Sequence, residues 1–505
     1  MQALRTRAAT MEWTPWMIIG LGALLRLLLL AMKPPHFDEG INGWFVDQMV
    51  KNGFYKYDPT NYHGPLHFYI LFISQTLFGR NLWALRIPVV LASIFCIHLT
   101  MRFEPFVGKT ASRWAALAMA VSPAFVFYGR YSIHEIWLVM FSMFFILGLL
   151  GLWKFGTAKY LWCVGMGFFG MVLTKETYII HVGCALIAFA VAWVSHLITR
   201  AENTTRAKQT WTYADLALVI AVGLAAIVFF YSGTFFNWAG LKGLYSTFSA
   251  WFETGHKGNG HEKPWHYWLE LIGIYEQPLA IALIACALCQ FFRDISIRYL
   301  AIYGVGTLMG YSIVSYKTPW CIISITWPLL FLFGAALLLI PERSRRIGYA
   351  VAGGVLALSL LLSLRLNFFR ATTDTEKYVY VQTYNDIYKL TEPLLELARK
   401  DPTKYQLVGH MIRESAYPLP WILGDFTRVG YYEKANMPSK LDADFLVVQD
   451  DKIATVEPKL QGSYYTMPFT IRPYQDTSKL YLSANVFKDY FRGRVPDFVG
   501  RAPKP

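Results

Sequence analysis

The chain has 505 residues, of which 55% are hydrophobic and 17% aromatic but only 16% charged. A soluble globular protein carries about a quarter charged residues. This composition therefore excludes an ordinary soluble domain, as well as disordered, collagen-like and coiled-coil chains. The apolar residues occur in long blocks, which is the pattern of repeated bilayer crossing. The sequence predicts an integral membrane protein.

The net charge of +14 comes from 47 Lys and Arg against 33 Asp and Glu, and it does not indicate nucleic-acid binding. Basic residues that bind nucleic acid cluster on one folded face. Here most of the basic residues in the first two thirds of the chain lie in short loops between apolar blocks, where they report membrane orientation. We expect a lipid bilayer and no nucleic acid among the partners.

The apolar blocks in chain order predict the membrane topology. They run approximately over residues 15–32, 65–78, 83–101, 112–128, 134–153, 159–174, 177–198, 213–235, 267–292, 298–315, 319–340 and 347–366. The block 65–78 is shorter than the roughly 20 residues that a crossing needs. If it stays at the interface, all the basic loops fall on one side of the membrane. We therefore predict an interfacial helix there, about eleven spanning helices, a cytoplasmic N-terminus and an extracytoplasmic C-terminus in the plasma membrane.

The last part of the chain has a mixed, charged composition. Residues 384–400 have a helical pattern, and the runs 405–409 and 444–448 are typical of strands. The sequence thus predicts an α-helical polytopic membrane domain over 1–366 and a soluble extracytoplasmic α/β domain over 367–505.

The first predicted external loop begins with the acidic pair Asp38 and Glu39. Two adjacent carboxylates at a bilayer surface need a cation, a proton or hydrogen-bond donors beside them. The functional interpretation is a general base, with or without a metal ion. The structural alternative is a solvated pair of loop acids.

Further polar motifs interrupt the apolar blocks on the same predicted side. They supply the candidate substrate-binding residues His36, Tyr62, His63, Arg130, His134, Lys175, Glu176, His256, His261 and Lys317. The turn 129–135 also places Glu135 beside a cation, as a second acidic element, although snorkelling of Arg130 is the alternative.

These motifs have structural alternatives as well. His63 and His67 are spaced to share a helical face as metal ligands, or they are structural histidines. Lys175 and Lys317 suit an anionic lipid headgroup, because lysine is a compact point charge, or they anchor the chain at the interface. The loop 255–266 is a flexible lid or a metal-binding segment, and the lid is favoured because the histidine spacing fits no zinc signature cleanly.

The order of three motifs resembles the GT-C superfamily. These motifs are an Asp-Glu pair in the first loop, a Pro-Leu helix after it and an Arg/acid turn between two spans. The members of this superfamily are polytopic glycosyltransferases that use polyprenyl-phosphate-linked sugars. More narrowly, the sequence resembles a bacterial and archaeal family labelled flippase-activity-associated proteins, from an N-glycosylation context. That resemblance rests on HFDEG, YHGPLHFY, GRYSIHE, TKET, GHKGNGHEKPWHYW and YKTPW, and on Tyr417-Pro418-Leu419-Pro420-Trp421 in the tail.

The resemblance implies roles for single residues. Asp38 matches the catalytic aspartate of the superfamily, Glu39 is its partner, and Glu135 occupies the second acidic motif. Lys317 resembles the cation that holds the donor phosphate in aminoarabinose and mannosyl transferases. Oligosaccharyltransferases need a divalent ion such as Mg²⁺ or Mn²⁺ and the other branches resemble metal-free enzymes. A metal site with ligands among Asp38, Glu39, His63 and Glu135 therefore stays open.

These observations lead to the hypothesis of a mannosyltransferase-like glycosyltransferase. It would move a sugar from a polyprenyl-phosphate donor to a lipid, glycan or protein acceptor on the extracytoplasmic face. Asp38 would act as general base, with inversion at the sugar and with Lys317 offsetting charge on the departing phosphate.

Two other classes of function stay open. A lipid-linked glycan flippase needs ionisable residues along a path through the bilayer, and Arg26, His98, His181 and Glu276 are the candidates. A non-catalytic accessory protein would instead only display the 367–505 domain.

Overall fold

A computed structural model describes residues 13–61, 63–199, 208–257, 260–288, 294–433, 436–473 and 475–500. The chain forms two compact units. The first consists of residues up to Leu30 together with Asn52–Arg370, and the second of Ala31–Lys51 together with residues from Ala371 onward. Residues 31–51, which the sequence analysis assigns to the membrane domain, thus pack with the C-terminal part of the chain. The domain division at residue 366 stays a prediction.

The first unit is helical, because its apolar blocks satisfy their backbone groups internally. In chain order its helices are α1 (Trp13–Leu27), α3 (Leu66–Phe78), α4 (Leu82–Met101), α5 (Glu104–Val121), α6 (Pro123–Tyr128), α7 (Glu135–Phe155), α8 (Ala158–Val172), α9 (Tyr178–Thr199), α10 (Tyr213–Tyr231), α11 (Ala239–Lys257), α12 (Tyr267–Tyr275), α13 (Gln277–Ala287), α14 (Ile295–Ile313), α15 (Ile322–Ala336) and α16 (Arg345–Leu364). The helix between α1 and α3 in the chain, α2 (Phe37–Asn52), belongs to the second unit except for its last residue.

The length and composition of these helices confirm a multi-pass membrane protein. Within the described ranges, six helices are long and apolar enough to cross a bilayer: Leu82–Met101, Glu135–Phe155, Tyr178–Ile198, Tyr213–Tyr231, Pro319–Leu339 and Glu342–Phe369. Shorter apolar helices cover Thr14–Leu27, Leu66–Phe78, Ala158–Val172 and Gln277–Ala287. The predicted number of about eleven crossings therefore includes several helices that are shorter than a full span.

Two of the predicted spans are each broken in the middle. The block 112–128 is interrupted at Ser122, and the block 267–292 at Glu276, each just before a proline-containing helix start. Hydrogen bonds join the two interruptions: the buried carboxylate of Glu276 accepts from Ser122 Oγ at 2.7 Å and from Ala124 N at 2.8 Å. These bonds satisfy backbone and hydroxyl groups that a broken helix would otherwise leave unpaired.

The second unit is an α/β fold. Its further helices are α17 (Tyr388–Lys400), α18 (Leu419–Ile422), α19 (Asp450–Val456) and α20 (Ala484–Phe487). Its strands are β1 (Val408–Ile412), β2 (Arg428–Tyr432), β3 (Phe445–Gln449), β4 (Ser463–Phe469), β5 (Ser478–Ser483) and β6 (Phe498–Val499). The sheet order is β2-β1-β3-β5-β4-β6. β1 pairs in parallel with β2 and β3, and the other pairs are antiparallel.

Candidate functional site

A tight turn before α3 brings two of the predicted polar motifs together in the first unit. Gly64 N donates to Thr174 O at 3.0 Å, and Leu66 N donates to Leu173 O at 3.1 Å. Only glycine fits at position 64, because a Cβ there would lie 2.2 Å from the Leu173 carbonyl oxygen. The turn thus fixes His63 against the Thr-Lys-Glu-Thr segment, where its Nδ1 lies 3.1 Å from Glu176 Oε2.

Three histidines pack against one another beside this turn. The ring centre of His134 lies 4.6 Å from that of His63 and 4.4 Å from that of His67. The orientation of His67 is set by Trp137, whose indole N–H donates to Nδ1 at 3.0 Å. His67 and His134 are both buried, so these contacts fix the position of the His134 ring.

An ion pair joins the first residue of α7 to the turn before α9. The ammonium of Lys175 donates to the Glu135 carboxylate, and both side chains are buried. Cys321 Sγ lies 4.0 Å from the same ammonium nitrogen. The structure therefore brings together His63, His134, Glu135, Lys175 and Glu176 from three separate sequence motifs.

Lys317 is held in a short backbone bridge. Lys317 N donates to His261 O at 3.0 Å, and Glu262 pairs with Tyr316. The Lys317 ammonium donates to Val314 O and, at 3.1 Å, to Lys263 O. An ammonium has three donors, so these bonds orient the Lys317 charge and leave one N–H for another acceptor.

Arg130 has a different place from the one expected of a substrate-binding residue. Its guanidinium donates to the carbonyl oxygens of Leu25, Leu28 and Leu29, at 2.7–2.9 Å, just at and beyond the end of α1. The ring of Phe368 lies 4.8 Å from its guanidinium carbon. A helix end leaves carbonyl groups unpaired, and a cation there satisfies them. Arg130 thus stabilises the end of α1.

The acidic pair lies in the second unit, at the start of α2, and its two members differ. Glu39 is fully buried, and its Oε2 accepts from the backbone N–H of His36 at 2.8 Å. It therefore caps the helix start. The Asp38 side chain is 30% exposed. Asp38 is thus the acid of the pair that a substrate can reach.

His36 fixes the backbone at Asp38 through a side-chain hydrogen bond. Asp38 N donates to His36 Nδ1 at 3.1 Å, and the other ring nitrogen, Nε2, lies 2.8 Å from Tyr380 O. Burial lowers the pKa of His36, in spite of the opposing effect of Asp38. The imidazole is therefore neutral, with its proton on Nε2, and it orients Asp38 without forming an ion pair with it.

Arg472 contributes a cation to the same place. Its guanidinium carbon lies 3.7 Å from the ring centre of Phe37, and its NH2 group donates to Ser415 Oγ at 2.7 Å. Burial lowers the pKa of Arg472 to about 10, although Asp38 opposes this effect. The residue is charged at neutral pH. Sequence reasoning missed it, because a single arginine after a strand carries no local signal.

The Tyr-Pro-Leu-Pro-Trp motif packs directly against α2. A Cβ on Gly40 would lie 2.4 Å from Pro418 Cβ, and one on Gly43 would lie 2.5 Å from Trp421 Cδ1. The Tyr417 ring meets the edge of the Phe37 ring at 6.0 Å between centres. Gly40 and Gly43 therefore allow Pro418 and Trp421 to pack closely against the helix that carries Asp38.

Two predicted site residues lie wholly or partly outside the described part of the chain, and the candidate metal ligands lie within it. Tyr62 and the side chain of His256 lie outside what the structure describes. Among the described residues, no group of three His, Cys, Asp or Glu side chains could hold a metal ion. Within the described ranges the candidate ligands do not form such a group, and no chemical step below is routed through a metal ion.

Comparisons with solved structures identify the fold. ArnT from Cupriavidus metallidurans bound to undecaprenyl phosphate superposes with a TM-score of 0.62 at 16% identity, over 94% of this chain and 99% of that chain. The apo form of the same protein gives a TM-score of 0.61 at 15% identity, over 93% and 98% of the two chains. This chain has the GT-C fold.

Two further comparisons agree with the GT-C fold. The Archaeoglobus fulgidus oligosaccharyltransferase tethered to an acceptor peptide matches with a TM-score of 0.51 at 13% identity, over 95% of this chain and 77% of that chain. A family model described as dolichyl-phosphate-mannose-protein mannosyltransferase matches residues 62–230. No protein of curated function matches the sequence significantly. The GT-C resemblance of the sequence is thus confirmed for the fold.

Proposed function

We propose that this protein is a GT-C glycosyltransferase that moves a sugar from a polyprenyl-phosphate donor to an acceptor, with Asp38 as the general base. The supporting observation is the difference between the two acids of the first loop. The Asp38 side chain is 30% exposed, whereas Glu39 is buried and bonded to the backbone. A general base must reach the proton that it removes, so Asp38 is the candidate.

The proposed reaction is a single displacement. The hydroxyl oxygen of the acceptor attacks the anomeric carbon of the donor sugar, and Asp38 takes the hydroxyl proton. The bond from that carbon to the phosphate oxygen breaks, and the electron pair leaves with the polyprenyl phosphate. One displacement inverts the configuration of the sugar. A positioned base contributes about 10²–10⁴-fold to such a step.

Lys317 is the proposed partner of the departing phosphate. Its ammonium is oriented by two carbonyl oxygens and retains one N–H donor. A fixed cation stabilises the charge that develops on a leaving phosphate. Lys175 is a weaker candidate, because its charge is already compensated by Glu135. The lipid donor is also supported by ArnT, the relative of similar fold that binds undecaprenyl phosphate.

Three of the four residues that would serve a flippase favour transfer over transport. Arg26 donates to one hydroxyl and three carbonyl oxygens, and His181 lies 2.8 and 3.1 Å from two tyrosine hydroxyls. Glu276 binds the break at Ser122. Ionisable groups along a transport path must exchange partners, whereas these groups hold the helices together.

We also propose the cellular setting. The positive-inside distribution of Lys and Arg supports a cytoplasmic N-terminus and an extracytoplasmic C-terminal domain. The reaction would then take place at the outer face of the plasma membrane. Asp38 and Lys317 must face the same compartment for this proposal to hold, which accessibility labelling of single cysteines at the two positions tests.

The decisive experiment replaces Asp38 by Asn in the full chain. The assay follows transfer of a radiolabelled sugar from a polyprenyl-phosphate donor, using membrane extract as the source of acceptor. Asp47→Asn, on the same helix, is the matched control. We expect Asp38→Asn to reduce kcat by about 10²–10⁴-fold with an unchanged thermal-unfolding midpoint. The control should keep the wild-type rate. Wild-type turnover in Asp38→Asn would reject Asp38 as the base.

A further inference from the structure

A cluster of cations lies at the ends of α7 and α8 that are remote from Glu135 and Lys175. α7 begins at Glu135, and its 21 residues end at Phe155. At 1.5 Å per residue this helix is about 30 Å long, the thickness of a bilayer core. α8 returns from Ala158 toward Lys175. The ends of α7 and α8 that lie away from Glu135 and Lys175 therefore belong to the opposite membrane face.

A pocket of about 850 Å³ opens at that face, among the ends of α4, α5, α7 and α8. Its apolar wall includes Phe95, Leu99 and Phe144, and the rings of Phe95 and Phe144 lie 5.9 Å apart. Its volume is within the range of about 300–1,000 Å³ that is typical of small-molecule sites. An apolar wall at a membrane face suits the first carbons of a lipid chain.

The rim of the pocket is cationic. Arg102, Lys109 and Lys159 are exposed residues of the lining. Glu104 also lines the pocket, but Arg113 lies 3.2 Å from its carboxylate and compensates its charge. The Lys159 ammonium lies 4.7 Å from the ring centre of Tyr160. The described lining therefore combines three exposed cations with an apolar wall, and it includes no uncompensated acid.

We propose that this pocket binds the phosphate-bearing headgroup of an anionic membrane lipid. Charge complementarity selects an anion, because cations near a membrane surface each strengthen the binding of acidic lipids. The apolar wall selects an amphiphile over a soluble anion, since a free phosphate would gain nothing from Phe95 or Phe144. This site is separate from the proposed sugar transfer and does not depend on it.

Cys163 offers a direct readout, because it lines the pocket and is half-buried. The full chain in detergent is treated with N-ethylmaleimide, and mass spectrometry follows modification of the Cys163 peptide. Phosphatidylglycerol is compared with phosphatidylcholine of the same acyl chains, and with inorganic phosphate. Cys184, also half-buried but outside the pocket lining, is the internal control.

We expect phosphatidylglycerol to protect Cys163 at lower concentration than phosphatidylcholine does, and to leave Cys184 unaffected. Lys159→Gln or Arg102→Gln should weaken the apparent affinity for phosphatidylglycerol by about fivefold each. Arg346→Gln, an exposed cation away from the pocket, should leave it unchanged. Equal protection by both lipids, equal protection of Cys184, or protection by inorganic phosphate alone would overturn the proposal.

Discussion

The Arg472 guanidinium carbon lies 3.7 Å from the ring centre of Phe37, the residue immediately before Asp38. This contact joins the segment after β4 to the start of α2. A cation over an aromatic ring is worth about 2 kcal/mol when the pair is desolvated. The contact is one of several through which C-terminal residues hold the helix that carries the proposed base.

We expect Arg472→Met to lower kcat for sugar transfer by about 10- to 100-fold, because small displacements of a catalytic group cost that much. The KM for the donor should change little, and the thermal-unfolding midpoint should fall modestly because the contact with the Phe37 ring is lost. Arg472→Lys, which keeps a cation, should restore part of kcat. Arg428→Met, at an exposed arginine of β2, is the control. If Arg472→Met keeps full activity while Asp38→Asn is inactive, Arg472 has no role in the reaction and the assignment of Asp38 as the base still stands.

The buried pair of Lys175 and Glu135 predicts a large loss of stability when one partner is removed. Lys175→Met leaves a buried carboxylate uncompensated, and we expect a loss of about 3–5 kcal/mol in the free energy of unfolding. Lys175→Met combined with Glu135→Leu should recover much of it. The exposed pair Arg345 and Glu342 supplies the control, because Arg345→Met should change stability by less than about 1 kcal/mol. Unfolding in mixed micelles measures the three variants against the wild type.

Gly64 allows a test of the turn that positions His63. Gly64→Ala would force a Cβ to 2.2 Å from the Leu173 carbonyl oxygen, so the turn must move away from Thr174. We expect a destabilisation of about 1–3 kcal/mol. Gly183→Ala is matched in chemistry, and its Cβ would meet no atom within 4 Å. An unfolding midpoint of Gly64→Ala equal to that of Gly183→Ala would contradict this account of the turn.

His36 predicts a dependence of stability on pH. Its folded pKa lies below the usual 6.5, because burial disfavours the charged imidazole. As the pH falls below 6.5, the unfolded chain binds a proton that the folded chain does not, so stability is lost until the folded pKa is reached. Above 6.5 the contribution is fully present.

The measurement is the unfolding midpoint of the full chain between about pH 7.5 and pH 5. We expect the midpoint to fall with the pH, and to fall less steeply in His36→Gln. The remaining slope should include His410, whose pKa is also lowered by burial. Parallel curves for the wild type and His36→Gln would show that His36 is not the source of the dependence.

Hydropathy alone was sufficient for the fold class, because a bilayer admits only long apolar helices with internally paired backbones. It was not sufficient for the interruptions. Ser122 and Glu276 lie far apart in the chain, and only packing reveals that one break provides hydrogen-bond partners for the other. A sequence pattern reports where side chains are apolar, and not which distant group pairs with a buried carboxylate.

The same distinction applies to the candidate site. The sequence by itself determined that acids, cations and histidines interrupt the apolar blocks in a fixed order, since charged residues are expensive inside a membrane. Only the tertiary structure decided their separate uses: Arg130 stabilises the end of α1, Glu39 caps α2, and Asp38 retains an accessible carboxylate. Neighbouring residues with the same charge differ in burial and in partners, and those depend on contacts from remote parts of the chain.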